Sequence, residues 1–232
     1  MPNFHDGHRE RLRKRFLKEG LDNFSPHEVL ELLLYLSIPR VNTNPLAHSL
    51  VEKFGSFSNA MEAPYSELLK VKGIGDNSAF SLKLIQAVSR YYMLDKNSDG
   101  AVLDTTEKLG NYILPKFFGV NNERLYLLCL DKKRKLLNCE LLVEGSPDSV
   151  SVDLRKVVET AMSCSATMVV LTHNHTQGFA LPSSSDLRVT EQIIDVLEKL
   201  SIKVVDHIIV ARDDFVSLAD SGFMFNNKQR TD

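Results

Sequence analysis

Leu171-Thr172-His173-Asn174-His175, followed by Ser183-Ser184-Ser185-Asp186, decides how the second half of this chain reads. The apolar run Thr167 to Leu171 predicts a strand, and alternate side chains of a strand share a face, so His173 and His175 address one point. Gly178 and Pro182 then mark a loop. Ser183 opens a strongly periodic helical segment that carries Asp186 in its first turn. Two imidazoles and a carboxylate from a strand end and a helix start suit zinc with three protein ligands. Such a site keeps a fourth position for water, which is the catalytic arrangement. The same donors also suit iron(II), but nothing else in the chain suggests oxygen chemistry. A His-x-His alone is often no more than two loop imidazoles; the strand, the turn and the carboxylate carry the metal reading.

Around this stretch strands and helices alternate, which predicts an α/β domain. Asp104-Thr-Thr-Glu107 has capping-box spacing, with Asp104 as the cap of a helix to about Phe118. Arg124 to Leu130 and Leu136 to Val143 read as strands joined by a turn at Asp131-Lys-Lys-Arg134. Asp153 begins a helix through about Cys164. The helix from Ser183 to Leu200 sets Leu187, Thr190, Ile194 and Leu197 on one face. Lys203 to Ala211 and Phe215 to Leu218 form a last hairpin. Asp206-His207 within it reads as a packed core pair.

The first half reads as all helix. His5 to Lys18 carries a basic cluster, read equally well as a phosphate contact or as a solvated face. Ser25-Pro26-His27-Glu28 is a strong helix start. The apolar run that follows, Val29 to Leu36, places that helix at the centre of its domain. Asn44-Pro45, Ser56 and Pro64 begin three more helices. Gly73-Ile74-Gly75 separates two helical stretches and looks like the turn of a helix-hairpin-helix element, with Phe54-Gly55-Ser56-Phe57 as the upstream partner. Glycines in such turns let backbone amides approach phosphate, so weak DNA binding through Gly73, Ile74 and Gly75 is one expectation. The other is a tight turn between packed helices, since Asp76 and Asn77 stand where a basic residue would help.

Composition bounds the partners. The 232 residues are 43% hydrophobic and 25% charged, ordinary for a soluble globular protein. Residues 1–96 hold 13 Lys+Arg against 11 Asp+Glu, a net of +2; the remainder holds 15 against 19, a net of −4. Neither half is a strong electrostatic partner for nucleic acid. No apolar run reaches membrane-spanning length, and the arginine-rich N-terminus predicts no secretory signal. Cys129, Cys139 and Cys164 show no CxxC pairing and read as reduced thiols of a cytoplasmic protein.

His173-x-His175, seven residues, then Ser183-x-x-Asp186 resembles the JAMM (MPN+) metalloprotease motif. His173-Asn174-His175, Pro182-Ser183, Asp186 and Asp206-His207-Ile-Ile-Val210 are similar to its RadC-like branch, over nearly the whole chain. That family usually reads His-Asn-His-Pro-Ser-Gly; here Thr176-Gln177 precede Gly178, so the loop lacks a rigid proline. The resemblance implies an all-helical helix-hairpin-helix domain at residues 1–96 and a linker at 97–101. A cytidine-deaminase-like α/β metal domain with a mixed sheet follows at 102–225, then a polar tail at 226–232.

The resemblance also implies a zinc hydrolase of peptide or isopeptide-linked protein substrates. Hydrolysis needs a base near the metal. Position leaves Glu123, Glu140 and Glu144 open, all on or beside the first two strands. The family pattern favours Glu123, which opens Glu123-Arg-Leu-Tyr-Leu-Leu-Cys-Leu-Asp131, and it gives Ser183 a part in holding the oxyanion. Read from its position alone, Ser183 is a helix N-cap, and Asn174, facing the other way, fixes the loop. Two rival functions remain: a DNA-repair accessory protein acting through its helical half, and a module that binds a protein tail without cutting it.

Overall fold

A computed structural model describes residues 7–96, 100–145, 152–176 and 178–224. The centre of the expected linker, the polar tail and Gln177 lie outside the described residues. The chain forms two compact units, Met1–Tyr91 and Tyr92–Asp232.

The first unit contains α1 (His8–Glu19), α2 (Pro26–Leu34), α3 (Asn44–Phe54), α4 (Phe57–Glu62), α5 (Tyr65–Leu69) and most of α6 (Asp76–Lys96). Its core gathers Leu30, Leu34, Leu50, Leu68 and Leu82. Ser25 caps α2 in a full capping box with Glu28, and Pro26 stands in the first turn, where its missing N–H costs nothing. The helix stops at Leu34, and Leu36 is 73% exposed, so the apolar run outlasts the face it buries. On α1, Arg9 donates to the carbonyls of Pro39 (3.0 Å) and Val41 (2.7 Å), and Arg15 donates to Glu28 (2.8 Å). These two arginines hold the unit together rather than facing solvent.

Between α5 and α6 the chain turns through Gly73, whose φ of +96° is a conformation that favours glycine. Ile74 sinks into the core beside it. Asp76 opens α6 and takes a hydrogen bond from the Tyr65 hydroxyl at 3.0 Å. A carboxylate thus occupies the helix start where an anion would bind.

The second unit holds α7 (Thr106–Phe117), β1 (Glu123–Leu130), β2 (Leu136–Gly145), α8 (Leu154–Ser163), β3 (Met168–His175), α9 (Ser184–Glu198), β4 (Lys203–Ala211) and β5 (Asp214–Ser217). The five strands run in the order β2-β1-β3-β4-β5. Only β3 and β4 are parallel, joined through α9; the other neighbours are antiparallel. This is the expected α/β domain with a mixed sheet. The cap of α7 is Thr105, which accepts from the Lys108 amide at 3.2 Å, while Asp104 pairs with the Lys108 ammonium. Gly110 of α7 lies against the Phe215 ring so closely that a Cβ there would stand 2.2 Å from it.

Strand alternation sorts the core into two layers. Tyr126, Leu128, Val170 and Ile208 face α7. Leu127, Cys129, Val169 and Leu171 face the other way, with Val157 of α8 and Ile193 and Leu197 of α9. The buried stripe of α9 is Thr190, Ile193 and Leu197, with Ile194 only partly covered. Cys129, Cys139 and Cys164 are free thiols. Among the described residues no helix is long and apolar enough to cross a membrane.

Candidate metal centre

Leu171, His173 and His175 continue the α8/α9 face of β3, so the parity that buries Leu171 also directs both imidazoles. β3 extends through His175, which keeps the two rings on one regular strand. Asp186 comes from the first turn of α9. There its carboxylate accepts from the Ser183 amide (2.7 Å) and the Ser183 hydroxyl (2.6 Å), while its own amide donates back to Ser183 Oγ at 3.2 Å. The N-terminus of a helix also favours a negative side chain.

One ligand atom each from His173, His175 and Asp186 can lie within 4.8 Å of the others. His173 Nε2 is 2.9 Å from His175 Nε2 and 3.2 Å from Asp186 Oδ1; His175 Nε2 is 3.4 Å from Asp186 Oδ2. A carbonyl has no proton to give, so the 3.2 Å contact between His175 Nδ1 and the Phe179 carbonyl requires Nδ1–H to donate. In the neutral ring this turns the Nε2 lone pair into the cluster. Two imidazole nitrogens and a carboxylate so close need a cation or a proton between them. This donor set therefore fits a divalent metal.

The electrostatics agree. A hydrogen bond with Asp186 pushes His175 up from its ordinary value, against the opposing effect of burial. Burial alone would raise Asp186, but the adjoining imidazoles and the Ser183 hydroxyl hold it well below the usual carboxylate range.

Glu123 lines the same cleft as His173 and Asp186, together with Leu125, Val143 and Val189. Its Oε2 is buried and has no hydrogen-bond partner among the described residues. A buried polar atom without a partner is rare and calls for a role. Leu125 pairs with His173 in the β1–β3 register; continuing that register by two residues sets Glu123 level with His175. Glu144 differs. It pairs with Arg124 across β1 and β2, so its side chain leaves by the opposite face, where Arg124 Nη2 holds it at 2.6 Å and Asn122 Nδ2 at 2.8 Å. Glu140 pairs with Leu127, farther down the strand from the cleft.

Asn174, between the two histidines, faces away from the cluster. Its Oδ1 accepts from the Arg124 amide at 2.8 Å and its Nδ2 donates to the Asn122 carbonyl at 3.1 Å. These bonds bracket Glu123 and tie the start of β1 to β3 just beyond the last paired residues. The Ser183 hydroxyl spends its proton on Asp186, so in this arrangement it orients that carboxylate.

His207 has a larger part than a core pair with Asp206. Only 1% exposed, it reaches His173 Nδ1 through its Nε2 at 2.8 Å and Thr190 Oγ1 through its Nδ1 at 2.6 Å. Burial pushes its imidazole well below the ordinary histidine value, so the ring is neutral. Asp206, its neighbour, turns instead to the Ser217 hydroxyl (2.6 Å) and the Ala219 amide (3.0 Å). Nothing local in the sequence marks the His207–His173 contact, which spans 34 positions.

This mixed-sheet α/β domain gathers two histidines and an aspartate at one strand end as a candidate metal-ligand set, beside a glutamate whose buried Oε2 has no partner among the described residues. The chain belongs to the RadC-like JAB domain family, whose pattern matches residues 103–223, and residues 7–80 match the UPF0758 N-terminal family.

Proposed function

We propose that this protein is a zinc-dependent hydrolase that cleaves a peptide or isopeptide bond. The observation that carries this reading is the orphaned, buried Oε2 of Glu123 in the cleft that also holds His173 and Asp186. A purely structural metal site has no use for such a group. His173, His175 and Asp186 would hold the zinc, which would supply Lewis acidity and a water that is nucleophilic near neutral pH. Glu123 accepts the proton from the attacking water and returns it to the leaving amine. Asn174 holds the strand start that carries Glu123. Ser183 orients Asp186; for its hydroxyl to reach an oxyanion as well, it has to turn away from the carboxylate. Leu125, Val143 and Val189 give the cleft apolar walls on which a substrate side chain could pack.

The test is metal analysis joined to turnover. Freshly purified protein should carry close to one zinc per chain, and His173→Ala and His175→Ala should each remove it. The zinc form should cleave members of a panel of linear and isopeptide-linked peptides, and a chelator should stop it. Unchanged zinc content in both variants would sink the ligand assignment. Full zinc with no cleavage across the panel would favour the module that binds a protein tail without cutting it.

A further inference from the structure

We infer that His207 and Thr190 form a directed hydrogen-bond relay that holds His173 in the tautomer whose Nε2 lone pair faces the metal. The inference rests on the metal reading above for its purpose, but not for its geometry.

The direction follows from counting protons. Thr190 Oγ1 stands 2.6 Å from the Asp186 backbone carbonyl. That carbonyl has no hydrogen, so the single hydroxyl proton of Thr190 must fill the contact. Thr190 Oγ1 is also 2.6 Å from His207 Nδ1. The hydroxyl has already given its proton, so His207 must donate here, and Nδ1 is its protonated nitrogen. A neutral imidazole has one donor and one acceptor, which makes His207 Nε2 an acceptor. The 2.8 Å contact to His173 Nδ1 is then made by the Nδ1–H of His173. The last consequence is that His173 Nε2 carries a lone pair, and it is this atom that lies beside His175 and Asp186.

Every member is shielded from water, which would otherwise scramble the order: Thr190 is 3% exposed, His207 1% and His173 8%. The relay also joins two ligands through one turn of helix. Thr190 stands four residues after Asp186 on α9, and its hydroxyl bonds back to the Asp186 carbonyl. Rotating α9 would therefore disturb Asp186 and His173 together. Partners of metal-bound histidines fix ring orientation and tautomer, and their loss typically costs about 10–100-fold in metal affinity. Thr190 and His207 are positioning residues in this sense.

The Thr190→Val variant keeps shape and removes the acceptor for His207 Nδ1–H. His207 then gains by protonating Nε2 instead, and His173 answers by protonating its own Nε2, on the metal side. Thr190→Ser keeps the hydroxyl and serves as the conservative rescue. The experiment uses the full-length chain in two forms. In metal-free protein labelled with ¹⁵N-histidine, NMR should show a hydrogen on His173 Nδ1 in the wild type and in Thr190→Ser. In Thr190→Val the Nε2–H form should appear. Zinc and cobalt(II) titrations against a competing chelator should then show affinity lowered about 10–100-fold in Thr190→Val and in His207→Leu. Thr190→Ser and His207→Gln, whose amide oxygen still accepts from His173, should stay within a few-fold of wild type.

A His173 ring whose Nδ1 carries no hydrogen in the metal-free wild type overturns the relay outright, whatever the variants do. So does wild-type metal affinity in both Thr190→Val and His207→Leu. If the wild type shows the Nδ1–H tautomer yet binds neither zinc nor cobalt, the metal reading fails while the relay stands.

Discussion

One glutamate in each unit carries a shielded carboxylate oxygen, and the surroundings of the two are opposite. Glu31 of the helical unit is 1% exposed and fully partnered: the Tyr35 hydroxyl donates to it at 2.7 Å, Asn44 Nδ2 at 2.9 Å, and His8 Nε2 lies 3.1 Å away. Glu123 of the α/β unit has a buried oxygen with no partner among the described residues. The first arrangement lowers the energy of the folded state. The second withholds a stabilising bond and leaves a carboxylate oxygen free in the cleft of the proposed metal site. A satisfied buried carboxylate is what a structural role predicts, and an unsatisfied one beside a donor cluster is what the proposed proton transfer needs.

The largest effect is expected at Asp186, the proposed metal ligand. Asp186→Asn should lose zinc and turnover together, with affinity falling by more than about 100-fold, beyond the range for a residue that only supports a ligand. Zinc retained in this variant would remove the premise that Glu123 faces a metal. Glu123→Gln should do something different. It keeps size and removes basicity, so zinc should stay while turnover falls roughly 10²–10⁴-fold. Its thermal unfolding should hardly change, because no hydrogen bond to Oε2 is lost. Glu144→Gln is the control: it breaks a surface pair with Arg124 and should leave turnover intact. If Glu144→Gln abolishes turnover while Glu123→Gln remains active with zinc bound, the base has been misassigned.

Glu31→Gln should give the mirror image. Turnover and zinc should persist, and stability should drop by roughly 1.5–3 kcal/mol, the usual worth of hydrogen bonds to a charged group. Its pH dependence has a definite sign. Burial alone would raise the Glu31 carboxyl, but bonds from Asn44, Tyr35 and His8 hold it below the ordinary 4.5. Stability from this group is therefore complete above pH 4.5 and lost as pH falls through the depressed folded value. Denaturant titrations between neutral and acid pH should show that loss in the wild type and a flatter profile in Glu31→Gln. Equal slopes would mean that Glu31 is not a paired carboxylate.

The smallest effects belong to the Gly73 turn. Gly73→Ala should cost about 1–2 kcal/mol, because its φ is positive; Leu46 Cδ1 at 3.4 Å from a new Cβ adds only ordinary contact. Filter binding of the whole chain at low ionic strength should show weak, sequence-independent DNA retention that added salt abolishes. Tight, salt-resistant binding would make the helical unit a functional site after all, despite Asp76 at the start of α6.

Much of the α/β unit could be read along the chain because its signals are local. Strand parity sets His173 and His175 on one side, and a capping serine three residues ahead sets Asp186 in a first helical turn. The same kind of signal placed α2 through its Ser25-Pro26 start. What the chain could not show is which distant segments meet. Glu123, Glu140 and Glu144 are equivalent by position, and only the β1–β2–β3 register separates the one in the cleft from the one paired with Arg124. His207 looked like a core residue because a strand histidine beside an aspartate has no mark of its own. Its link to His173 exists because β4 lies parallel to β3, and its link to Thr190 because α9 packs across both. Local backbone geometry, set by neighbours in sequence, determined which side each ligand faces. Strand pairing and helix docking, set by burial of the whole core, decided what stands opposite it.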